Sequence, residues 1–67
     1  MRHAQIGEVW WDERHPEACR VVAFDATPTG MVRVIVARQG GHVAYQVAEF
    51  RERFTLLHVA QEGTRWA

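Results

Sequence analysis

Lysine is absent from this 67-residue sequence, cysteine occurs once, proline twice, and apolar runs are short. Each shortage excludes something. The single cysteine, Cys19, leaves no internal disulfide and no paired-cysteine zinc motif, so a reducing cytoplasm is the expected location. Runs such as Val34-Ile35-Val36-Ala37 fall far below the roughly 20 residues of a membrane-spanning helix. Met1-Arg2-His3-Ala4-Gln5 lacks the apolar stretch of a signal peptide, and the expected protein is soluble and unexported. The eight basic residues, all arginine, balance eight Asp and Glu to a formal net charge of +0, so no global field draws in nucleic acid or an anionic membrane. Arginine without lysine suits bidentate contacts to carboxylate or phosphate, and a GC-rich genome would produce the same bias. A single domain this short buries only about 60% of its unfolded surface, which leaves little margin for unused apolar side chains.

What is present begins with Val9-Trp10-Trp11-Asp12, the densest apolar surface in the chain. Residues 1–5 carry no pattern and are expected to fray. Ile6 to Trp11 reads as a first strand, with Gly7 allowing a bend. Asp12-Glu13-Arg14-His15-Pro16-Glu17 breaks it, because Pro16 lacks an amide hydrogen for a ladder and Asp12 is suited to hold the turn backbone. Cys19 to Phe24 is a second strand of ambiguous alternation: Cys19, Val21 and Ala23 compete with Val22 and Phe24 for the core, and Val21 inside with Arg20 outside is preferred. A Pro28/Gly30 connection leads to Met31–Arg38, where Val32, Val34 and Val36 form the expected core face and Arg33 and Arg38 are assigned to the outer one.

Gln39-Gly40-Gly41 signals a tight turn through glycines able to take positive φ. His42 to Val47 then returns, with Val43, Tyr45 and Val47 paired to the valine face. Ala48 to Phe54 changes period, since Val47, Phe50 and Phe54 are spaced for a short helix that survives only by docking. Thr55 to Val59 is the last strand, and 60–67 is a polar tail containing Trp66. Strand, loop, three-stranded meander, helical turn and last strand is the order of a small, all-β, SH3-like five-stranded barrel over residues 6–59. An OB-type barrel is the rival, though it needs a longer chain and a fuller helix.

Gly7-x-x-Trp10-x-Asp12, Arg20-Val21-Val22 and Val47-x-x-Phe50-x-x-x-Phe54 together resemble short prophage and actinobacterial proteins of unknown function. The likeness spans about residues 6–58 on few positions. It implies a small all-β domain encoded by a mobile element, and it carries no activity or catalytic residue to this chain. Trp11 and the tail with Trp66 lie outside the shared pattern.

Successive residues on a strand point to opposite faces, so at most one of Trp10 and Trp11 enters the core. The other is covered by the Asp12–Ala18 loop or by Trp66, or else it serves as an aromatic anchor for a partner. Trp10, Trp11 and Trp66 are therefore the candidate protein-binding residues, the partner being another protein or a second copy of the chain. A basic face of Arg20, Arg33, Arg38, Arg51 and Arg53, with Tyr45 or an indole for stacking, is the nucleic-acid-binding alternative. His3, His15, His42 and His58 match no metal-ligand spacing, and neither Cys19 with a histidine nor Glu49 with Glu52 has room for a water-excluding pocket in so small a domain. The expectation is a non-catalytic protein that uses no cofactor, metal or small-molecule substrate, and that in phage hands would inhibit or redirect a host complex.

Overall fold

The computed structural model describes residues 4–59. Five strands and one helix follow one another as β1 (Val9–Asp12), β2 (Glu17–Ala26), β3 (Val32–Arg38), β4 (Gly41–Gln46), α1 (Val47–Arg53) and β5 (Phe54–His58). They form one antiparallel sheet of order β4-β3-β2-β1-β5, an all-β architecture with a single short helix. The sheet is open, with β4 at one edge and β5 at the other, so the closed barrel expected from the element order is not observed.

The strands fall within one to three residues of their expected limits, and the departures have local causes. Gly7 takes φ 96°, which places residues 6 and 7 in a turn and delays β1 to Val9. Residues expected to fray are held on the same turn: Ala4 packs against the core, and the Gln5 amide donates to Glu8 Oε1 at 2.8 Å. At the β3–β4 connection Gly40 and Gly41 take φ 97° and 130°, the positive values that the glycine pair was expected to supply.

The ambiguity of the second strand is resolved by a register shift. Val21 pairs with Val36, and Ala23, one residue further than simple alternation allows, pairs with Ile35. Val22 is the extra residue of this bulge, and it reverses the phase of β2. Cys19 and Val21 face the core before the bulge, and Phe24, opposite Val34, shares their face after it. Both competing alternations in the sequence are therefore real, each over half the strand. Phe24 nevertheless stays 40% exposed.

The core lies on the inner face and consists of Trp10, Cys19, Val21, Val34, Val36, Tyr45, Phe50 and Phe54, with Ala4, Val47 and Leu56 packed at its margin. Register places Val34 opposite Tyr45 and Val36 opposite Val43, as the two alternating patterns require. The valine face is only partly interior, however. Val32 is 50% exposed at the open end, and Val43 is 39% exposed on the edge strand.

Helix α1 exists because of its rings. It spans seven residues and the Gln46 side chain makes no capping bond to it, so local capping contributes little and docking through Phe50 must hold it. Phe50 meets Trp10 edge-on at 4.9 Å between centroids and stacks on Phe54 at 4.5 Å, and Phe54 meets Tyr45 edge-on at 5.1 Å. Four rings thus join β1, β4, α1 and β5 in a continuous run. Replacing the fully buried Phe50 with alanine is expected to cost about 3–5 kcal/mol in urea unfolding. Phe24→Ala, at the uncovered end of the same face, should cost less than about half of that.

Candidate functional site

Alternation from Trp10 carries Asp12 onto the inner face at the end of β1, where its side chain is completely buried. An isolated buried carboxylate is very costly, and here five donors surround it. Arg53 grips it with both Nε and Nη2, each at 2.8 Å, and Arg38 Nη1 reaches Oδ2 at 2.7 Å. The amides of Arg14 and His15 donate to Oδ1 at 2.9 and 3.2 Å, which is the turn-holding role the sequence suggested. The Arg53 guanidinium, with Arg38 and the turn amides, outweighs the effect of burial and holds the Asp12 carboxyl far below the ordinary carboxylate range. The same bonds to Asp12 hold both arginines above their usual values.

The network extends outward from this carboxylate. Arg38 also donates to the Tyr45 hydroxyl at 2.7 Å, to Glu17 Oε1 at 3.2 Å and to the His15 carbonyl at 3.2 Å. The Gln39 amide donates to the other oxygen of Glu17. Arg53 lies over the Tyr45 ring at 4.8 Å and pairs with Glu49 at 3.5 Å, one helical turn back. A second buried acid, Glu8, accepts the Trp10 indole N–H at 3.1 Å, which ties the core indole to the Gln5 turn.

These contacts locate the residues singled out in the sequence. Trp10 is in the core and 8% exposed, whereas Trp11 is half-buried on the opposite face beside Ala18 of β2 and Thr55 of β5. Trp66 lies outside the described residues. Arg20 stands on the outer face opposite Ala37, and its guanidinium donates to the Gly7 carbonyl. Arg33, opposite Asp25, forms a two-point pair with that carboxylate at 2.8 and 2.6 Å.

The assignment of Arg38 to the outer face is corrected: it shares parity with Val34 and Val36, so it enters the buried network. Arg53 is committed there too, while Arg51 is exposed on α1. The five arginines expected to make one basic face are thus divided between two faces of the sheet and the helix. Three of them, Arg33, Arg38 and Arg53, are neutralised by carboxylates.

The outer face carries Arg20, the Arg33–Asp25 pair, His42 and Gln46 together with a set of apolar residues. Val9, Trp11, Ala18, Ala23, Ile35, Ala37 and Ala44 share it by register, and all are half-buried or exposed. The single helix among the described residues covers the other face, where Phe50 joins the core. Cys19 is fully buried, and desolvation pushes its thiol pKa up, which makes it a poor nucleophile. Among the described residues no three His, Cys, Asp or Glu side chains are grouped to hold a metal ion, and no helix is long and apolar enough to cross a membrane. No family model, curated protein or solved structure matches the chain.

Sequence reasoning missed the buried role of Asp12, Arg38, Arg53 and Glu8. The parity of Trp10 with Asp12, and of Val36 with Arg38, was the signal that could have revealed the first two.

Asp12→Asn leaves two guanidinium groups facing a neutral amide and should destabilise the fold by about 3–5 kcal/mol, measured by urea unfolding at neutral pH. The pH dependence has a definite sign. Because the folded pKa of Asp12 lies below the unfolded value, its contribution is present above about pH 4 and is lost as pH falls further through the acid range. The wild-type stability curve should therefore fall more steeply than that of Asp12→Asn below about pH 4.

Proposed function

We propose that this chain is a non-catalytic protein-binding domain of SH3-like architecture, and that it presents the outer face of its sheet, centred on Trp11, to another protein. The observation that carries the reading is the placement of Trp11. A half-exposed tryptophan that shares its face with Val9, Ala18, Ile35 and Ala37, and with Arg20 and the Arg33–Asp25 pair, offers a large, rigid anchor among small apolar side chains. An exposed apolar patch on a small domain commonly marks an interaction site.

The SH3-like assignment draws its support from the strand order β4-β3-β2-β1-β5, with the helical turn between β4 and β5. Commitment of Arg33, Arg38 and Arg53 to carboxylates favours a protein partner over nucleic acid, because phosphate binding depends on unspent local positive charge. The prophage resemblance would make that partner a component of a bacterial host.

The immobilised domain should retain a protein from an actinobacterial lysate after nuclease treatment. Trp11→Ala should lose that protein while keeping its circular dichroism spectrum and an unfolding free energy within about 1 kcal/mol of wild type. Capture that survives in Trp11→Ala, or that disappears with nuclease and with added salt, would refute the reading. In contrast Trp10→Ala removes a core ring and should cost about 3–5 kcal/mol.

A further inference from the structure

The two edges of the sheet are built differently. β5 meets β1 with a register shift between Val9 and Trp10, so that side is irregular. β4 meets β3 in uninterrupted register from Arg38↔Gly41 to Arg33↔Gln46, and its six residues include no proline, lysine, arginine or acid. Bulges, prolines and charged side chains are the usual devices that stop an edge from pairing with another strand. β4 has none of them, and five of its six residues are exposed.

The turn defines what that edge offers. A two-residue connection closes on a hydrogen-bonded pair, here Arg38 and Gly41. Alternation then makes Val43 and Tyr45 the residues bonded to β3, and it turns the backbone N–H and C=O groups of His42, Ala44 and Gln46 outward. These groups form a regular set of donors and acceptors spaced for an antiparallel strand.

We infer that β4 pairs with β4 of a second copy of this chain, about a two-fold axis at Ala44, so that the two sheets become continuous. In this register Ala44 faces the partner's Ala44, His42 faces the partner's Gln46, and Val43 faces the partner's Tyr45. No Asp, Glu, Lys or Arg is brought against a like charge, and the zero net charge of the chain leaves no global repulsion between copies. Val43 is 39% exposed on the face that Tyr45 helps to cover, and the partner's Tyr45 would shield it. Self-pairing is argued from this register, which opposes no like charges and sets the partner's Tyr45 beside the exposed Val43. Ala44 lies on β4, three strands along the sheet from Trp11 on β1, and the inference does not rest on protein capture at Trp11.

Sedimentation over a concentration series should show wild type passing from monomer to dimer. Ala44→Lys and Ala44→Glu each set like charges opposite one another at the axis, and each should sediment as a monomer with wild-type circular dichroism. An equimolar mixture of the two should recover the dimer, because the pair across the axis is then of opposite charge. Amide exchange supplies a readout independent of the variants: the His42, Ala44 and Gln46 amides of wild type should slow as concentration rises, while that of Thr55 does not. A wild type that stays monomeric, a dimer that survives in both single variants, or a mixture that remains monomeric would each overturn the inference.

Discussion

The carboxylate of Asp12 is the point at which the ends of this fold are tied. A charge with no exposure in so small a domain must be matched on every side, and the matching groups come from three different elements. Arg38 closes β3 onto it, Arg53 closes α1 onto it, and the amides of Arg14 and His15 close the β1–β2 connection. Through Arg38 the Tyr45 hydroxyl, and hence β4, joins the same point. The network supplies by hydrogen bonding part of the closure that a larger core or a disulfide would supply elsewhere.

That network also bears on function. The ring series from Trp10 through Phe50 and Phe54 to Tyr45 fills the inner face, and Arg53 over Tyr45 joins it to the ions. Three of the five candidate phosphate-binding arginines are committed to carboxylates, Arg38 and Arg53 at Asp12 and Arg33 at Asp25. What is offered to a partner is a mixed sheet face with half-exposed Trp11 among small apolar residues, and a backbone edge along β4. The first suits side-chain recognition and the second suits strand addition.

Much of this architecture was legible in the residues. Glycine pairs, β-branched alternation and the Val47/Phe50/Phe54 spacing identify the hairpin, the third and fourth strands and the helix. Separation of the indoles onto opposite faces likewise follows from strand geometry alone. What could not be read depends on contacts distant in sequence. The bulge at Val22 inverts a face halfway along β2, and no periodicity argument anticipates a change of phase within one strand. Arg38 was assigned by its charge when its parity pointed inward, since a charged residue enters a core only if a partner such as Asp12, 26 positions away, already awaits it. Closure of the barrel failed as an expectation because element order fixes neighbours and leaves open whether the two edge strands meet.

If Asp12 is the common anchor, Arg38 and Arg53 cannot act independently. A double-mutant cycle with Arg38→Gln and Arg53→Gln, measured by urea unfolding at neutral pH, tests this directly. A coupling free energy of at least about 1 kcal/mol is predicted, because both side chains share one buried carboxylate. Additivity to within about 0.3–0.5 kcal/mol would contradict the account, and would reduce the cluster to two separate ion pairs at the end of a sheet.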